Sequence, residues 1–328
     1  MGSTQGNILV IRGGAIGDFI LTLPVLSALR QHFPRVRLEI LGYPHIAHLA
    51  LAGRLADHVR SIEAAPLAGF FARNGALDEA HQHYFGTFDI IISYLYDLDK
   101  VFQANVARCS KAQFLAGPHR PDERAGIHAT KVFLSPLERL SIFDADPVPR
   151  LRGGRGDAET KKPVENPFEP IFSASSTLAF HPGSGSERKN WPEAKWAELL
   201  RELIRTTEMQ LLLVGGEAEG ERLTRLAKPL PASRVQLARS LPLSELAQRL
   251  AACAAFVGHD SGITHLAAAV GLPALVLWGE SVEAVWRPQG GQLTILKAAG
   301  GLNEMDSSTV LDRLLRLLRL KDSARLPC

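Results

Sequence analysis

The sequence has little cysteine, no excess of charge of either sign, no long apolar run and no internal repeat, and each shortage removes a class of protein. Its three cysteines, Cys109, Cys253 and Cys328, are odd in number and far apart. That pattern suits neither a disulfide framework nor a structural zinc site and favours a reducing compartment. With 37 basic and 34 acidic residues the formal charge is only +3, and no basic block marks a nucleic-acid track. The first apolar run, residues 8–11, is too short for a signal sequence and passes into a glycine turn. No other stretch reaches membrane-spanning length, so a cytosolic chain with a short polar leading end at residues 1–7 is expected.

What is present is apolar patterning. A chain of 328 residues with 46% hydrophobic content can bury a large core and exceeds the size at which one core usually divides. The first half alternates apolar runs with helical patterns: strands at 8–11, 37–41, 58–62 and 89–93, and a helix over 18–32. Residues 148–176 turn to Pro, Gly, Lys, Glu and Ser without apolar period and read as a linker. The grammar then restarts, with strands at 178–180, 210–214, 234–237, 254–257 and 273–277, and helices at 192–205, 217–228, 244–252 and 261–270. Such alternation predicts two parallel, doubly wound sheets. The segment 308–320 carries Leu311, Leu314, Leu315 and Leu318 at helical spacing beside Arg313, Arg316 and Arg319. A terminal helix packed on the core accounts for this pattern better than a helix lying on a membrane surface.

Four strand ends carry chemistry. After residue 257, Gly258-His259-Asp260-Ser261-Gly262-Ile263-Thr264-His265 opens an Ala-rich helix, whose first N–H groups and dipole suit an anion. Asp260 or Ser261 acting only as a helix cap, with His265 an interior histidine, is the alternative. After residue 180, His181-Pro182-Gly183-Ser184-Gly185-Ser186-Glu187-Arg188-Lys189-Asn190-Trp191-Pro192 gathers hydroxyls, glycines and two cations suited to a diphosphate, and a buried Trp191 would anchor the loop. Gly215-Gly216-Glu217 places a carboxylate where a ribose can be held, or where a helix dipole favours an acid. In the first half, Arg12-Gly13-Gly14-Ala15-Ile16-Gly17-Asp18 lacks the glycine that a nicotinamide fingerprint needs at position 12. It offers Asp18 as a carboxylate at the sheet edge or as a helix cap.

Taken together, residues 8–18, Leu23-Pro24-Val25-Leu26 with Leu29-Arg30, His181 to Gly185, Lys189 to Pro192, Gly215 to Glu217 and Asp260 to Ala267 resemble glycosyltransferase family 9, the heptosyltransferases. The resemblance implies a GT-B fold: two Rossmann-like parallel-sheet domains facing across a cleft. Residues 1–165 would bind the acceptor, 166–305 the nucleotide sugar, and 306–328 would form a closing helix and tail. It further implies inverting, metal-independent transfer of a sugar, commonly heptose from ADP-heptose, to a lipopolysaccharide core or related glycolipid, with no cofactor beyond the donor. The location implied is the cytoplasm, peripheral to the inner membrane.

Carried over by position, Asp18 is the catalytic base. Ser184, Lys189, Glu217, Asp260, Ser261, Gly262, Thr264 and His265 contact the donor. On the acceptor side the chain departs from the inner-core pattern, and Arg120, Arg124, His128 and Lys131, with His119, are the candidate basic residues. Tyr94 and Tyr96 are a candidate sugar platform. A nucleotide-sugar epimerase would need an acid to match His45 and His48, and a non-catalytic nucleotide-sugar binder is the remaining alternative on this fold.

Overall fold

A computed structural model describes residues 6–151, 176–217 and 219–323, with backbone alone for 319–323. Cys328, residues 1–5 of the polar end expected at 1–7 and most of the expected linker, 152–175, lie outside the described residues. The chain divides into two compact units, Met1–Glu165 and Asn166–Cys328.

The first unit runs β1 (Asn7–Arg12), α1 (Ile16–Ile20), α2 (Leu23–His32), β2 (Arg37–Gly42), α3 (Pro44–Ala52), β3 (His58–Ser61), α4 (Glu79–Gly86), β4 (Ile90–Ser93), α5 (Val101–Ala107), β5 (Gln113–Ala116) and α6 (Ala129–Leu134). Its strands form one sheet in the order β3-β2-β1-β4-β5, and every neighbouring pair is parallel. Residues Ile8 to Ile11 are buried throughout, as a strand covered on both faces requires, which is why they read as a continuous apolar run. The single helix expected over 18–32 is two helices. Pro24 cannot continue a helix begun at Ile16, having no N–H and clashing with the preceding turn, and sits in the first turn of α2 instead.

The second unit runs β6 (Thr177–His181), α7 (Glu193–Thr206), β7 (Gln210–Gly215), α8 (Gly220–Ala227), β8 (Val235–Arg239), α9 (Leu243–Ala251), β9 (Ala255–His259), α10 (Gly262–Ala269), β10 (Ala274–Leu277), α11 (Glu283–Trp286), β11 (Leu293–Leu296) and α12 (Ser307–Ser323). Six parallel strands lie in the order β11-β10-β9-β6-β7-β8. Edge strand β11, which the sequence pattern did not predict, is only half-buried. α7 buries Trp196, Leu199, Leu200 and Leu203, one stripe of a 3.6-residue period. α12 sets Val310, Leu314 and Leu317 into the same core, while Arg313 and Arg316 are exposed. The packed terminal helix is therefore the reading that holds. Among the described residues no helix is long and apolar enough to cross a membrane.

Candidate functional site

In the second unit the chain builds outward from β6 through β7 and β8 on one side, and through β9, β10 and β11 on the other, so the switch point lies between β6 and β9. Ligands of open α/β sheets bind at that point, outside the carboxyl ends of the strands. His181 pairs with Gly258, so the loops leaving β6 and β9 start level with one another.

The β6 loop is built, not slack. Trp191 is buried and its Nε1–H donates to the Met305 carbonyl at 2.8 Å, the aromatic anchor expected from sequence. Ser184 Oγ sits 2.9 Å from the Ser186 carbonyl and 2.7 Å from Asn190 Oδ1. Gly185 turns the chain at φ +74°, a backbone that side chains rarely adopt. Lys189 Nζ reaches Asp260 Oδ2 at 2.9 Å, the ammonium side chain 43% exposed and the carboxylate side chain 10%. Arg188 is exposed.

After β9, Ser261 is the N-cap of α10 and accepts from the Thr264 N–H, so the capping role considered for it is real. Gly262 opens the helix with its N–H outside the helical ladder. Thr264 is fully buried and its hydroxyl is committed to the His259 carbonyl, which places its side chain inside the turn. His265 is also buried. After β7, the helix begins at Gly220, not at Glu217. Glu217 is an exposed turn residue, and Glu219 folds back to accept from the Gly216 N–H at 2.9 Å.

In the first unit the switch point lies between β1 and β4. Gly14, at φ +98°, lies so close to the Asp18 carboxylate that an added Cβ would stand 2.9 Å from Oδ2. Ala15 is the N-cap of α1, and Asp18 Oδ2 accepts from its N–H at 3.1 Å. Asp18 thus does cap the helix, from the third position, while its side chain stays 31% exposed. Behind it lies Arg12, 3% exposed. The guanidinium is 3.6 Å from Asp18 Oδ1, donates to the His119 carbonyl at 3.0 Å and lies 4.4 Å over the Phe133 ring. Burial lowers the Arg12 pKa, and Asp18 opposes that shift.

The acceptor-side candidates do not gather as a bare basic cluster. Arg120 pairs with Glu123 at 2.9 Å and Arg124 with Asp122 at 3.2 Å. His128 is buried and caps α6, its ring accepting from the Thr130 N–H. Lys131 lies within α6 and is exposed. The two tyrosines separate: Tyr94 is buried, donates to the Phe133 carbonyl at 2.6 Å and has its phenol pKa raised by burial, whereas Tyr96 is 67% exposed. Tyr96 stands edge-on to His119 at 4.7 Å beside a cavity of about 220 Å³ that Asp97, Lys100 and Gln103 also line.

Four important residues escaped the sequence reading. Arg12 was detectable as a lone charge ending an apolar strand. Glu219 and Arg222 left no local signal, and His259 lay in the Gly258–His265 stretch with no role of its own. Arg222 carries a largely buried side chain and makes paired contacts to Glu187 at 2.7 and 2.8 Å.

A family described as glycosyltransferase family 9 (heptosyltransferase) matches residues 152–313. Lipooligosaccharide heptosyltransferase 2 of Haemophilus influenzae is 26% identical over 319 residues, covering 90% of this chain and 89% of that protein. Among solved structures, the family 9 glycosyl transferase of Veillonella parvula superposes with a TM-score of 0.75 at 18% identity, covering 97% of this chain and 99% of that one. The E. coli ADP-heptose lipopolysaccharide heptosyltransferase II gives the same TM-score of 0.75 at 19% identity, over 96% and 99% of the two chains. Two parallel-sheet Rossmann units, the motif loops at their switch points and these matches lead to one conclusion: the chain is a GT-B glycosyltransferase and belongs to glycosyltransferase family 9, the heptosyltransferases.

Proposed function

We propose that this enzyme transfers heptose from ADP-heptose to a lipopolysaccharide core or related glycolipid at the cytoplasmic face of the inner membrane, with inversion at the anomeric carbon and without a metal. The named activities of the Haemophilus and E. coli relatives support donor and acceptor class. One observation carries the division of labour. The two units hold opposite ion pairs: in the first, the cation is 2% exposed and the carboxylate 31%, and in the second the cation is 43% exposed and the carboxylate 10%. The first unit thus offers a carboxylate and the second a cation.

A carboxylate on the acceptor side and a cation on the donor side are what inverting transfer requires. The acceptor hydroxyl oxygen bonds to the anomeric carbon as the bond from that carbon to the diphosphate oxygen breaks. The electron pair leaves with ADP, and the hydroxyl proton passes to Asp18. Lys189, the Gly262 N–H and the α10 dipole stabilise the charge that develops on the leaving diphosphate, while Ser184 shapes the loop that presents Lys189. Asp260 holds Lys189 until the diphosphate replaces it. Ser261 and His265 complete the wall beneath the donor, and Glu217 takes the ribose hydroxyls. On the acceptor side Arg120, Arg124 and Lys131 meet anionic groups and Tyr96 offers a ring face.

The test has two parts. In a thermal-shift series with ADP, UDP and GDP, ADP alone should raise the transition, because a ligand bound only by the folded state stabilises it. Transfer of heptose to a truncated glycolipid should then be measured for the wild type. A shift with UDP but not ADP, or transfer with retained anomeric configuration, would overturn the proposal.

A further inference from the structure

His259 is fully buried at the end of β9, yet it points into the loop that follows β6. Its Nε2 accepts the Trp191 backbone N–H at 2.8 Å, and its Nδ1 lies 3.2 Å from the Gly183 carbonyl. A backbone N–H can only donate and a carbonyl can only accept, so the two partners together fix the ring as the neutral Nδ1–H tautomer. One ring therefore clasps both ends of the loop 183–191, and it packs edge-on against Trp196 at 5.5 Å. The next residue, Asp260, binds the same loop through Lys189 at 2.9 Å.

These ties differ in kind. The Lys189–Asp260 pair is the one a diphosphate would have to compete with, whereas the His259 bonds are sealed from solvent. On its outer side the loop is also held by Arg222, through the Pro182 carbonyl at 3.3 Å and the Glu187 carboxylate. Trp191 has its own anchor at Met305. Losing the His259 bonds should thus loosen 183–189 without unfolding the unit.

We propose that His259 is the positioning residue of the donor loop, clasping Gly183 and Trp191 so that Lys189 can exchange Asp260 for a diphosphate without the loop losing its shape. The inference rests on the reading of this loop as the donor site. Three variants of the full chain separate the two bonds. His259→Phe keeps the ring and loses both, His259→Gln can reach only the Trp191 N–H, and His259→Asn can reach only the Gly183 carbonyl.

ADP affinity measured by calorimetry, and donor KM, should weaken about tenfold in His259→Phe and about threefold in the other two, with kcat at saturating donor within about twofold of wild type. A kcat loss with unchanged donor KM, or unchanged ADP affinity in all three variants, overturns the inference. If His259→Phe fails to fold, the partial variants still decide it. Lys189→Met separates this failure from that of the underlying reading. Weakened ADP affinity in Lys189→Met with none in the His259 variants removes the clasp alone. Unchanged affinity in Lys189→Met removes the donor assignment of the loop, and the clasp with it.

Discussion

The two units solve the same problem with reversed burial. In the first, Arg12 is sealed between the Phe133 ring and the His119 carbonyl, and Asp18 leans on it from the partly open side. In the second, Asp260 is the covered partner and Lys189 the open one. A buried cation held by a carbonyl and a ring face is poorly placed to leave its carboxylate, whereas a half-exposed lysine can change partners at small cost. The fold repeats, and which member of the pair is covered sets whether its edge presents negative or positive charge.

The contrast can be broken most severely at Asp18. Asp18→Asn should lower kcat about 10³-fold with ADP affinity unchanged, and near-normal turnover would remove the carboxylate from the reaction. Acid should act on the second unit next. Burial holds the ring of His181 at a pKa of about 3 and that of His259 at about 4, below the ordinary 6.5. The unfolded chain therefore binds protons that the folded unit does not. Stability is full above about pH 6.5 and falls as the pH drops through 4 toward 3. All four tryptophans, Trp191, Trp196, Trp278 and Trp286, lie in this unit, so melting followed by tryptophan fluorescence reads it selectively. A melting temperature unchanged between pH 7 and 4.5 would contradict the buried-neutral assignment.

Lys189→Met should weaken ADP binding by about 10- to 100-fold, as loss of a charge-assisted contact to the diphosphate requires, with the change visible in calorimetry. Arg12→Met should leave ADP binding intact and lower kcat about tenfold by freeing Asp18 to move, and Arg12→Lys should recover part of the loss. Equal effects of Arg12→Met on kcat and ADP affinity would erase the distinction between the units. The smallest expected change is on the acceptor side. Arg120→Ala and Arg124→Ala should raise acceptor KM by about threefold or less, because Glu123 and Asp122 already compensate these charges.

Much of this molecule was legible from local pattern. The apolar runs that became β1, β2, β4, β6, β7 and β9, the glycine turns behind them, and the anchoring role of Trp191 are all properties of short segments. The misreadings have local causes too. Pro24 splits a helix that apolar period alone would continue, and the four-residue edge strands β5 and β11 were not expected. At the sites, the loops that carry Asp18, Lys189 and Asp260 follow strands, while Thr264 and His128 were read by residue type alone. Their burial inside a turn and a helix cap could be known only from packing.

The succession of strands and helices along the chain, the turns that follow the strands and the residue types available there follow from the chain read in windows of about ten residues, since backbone periodicity and turn chemistry act over that range. Burial and pairing do not. Arg12 is covered by a carbonyl 107 residues away, Lys189 meets Asp260 across 71 residues, and His259 takes the Trp191 N–H across 68. Solvent access and hydrogen-bond partner depend on what the fold brings alongside. The same pair of charges becomes a held carboxylate in one unit and an exchangeable cation in the other only once the chain has packed.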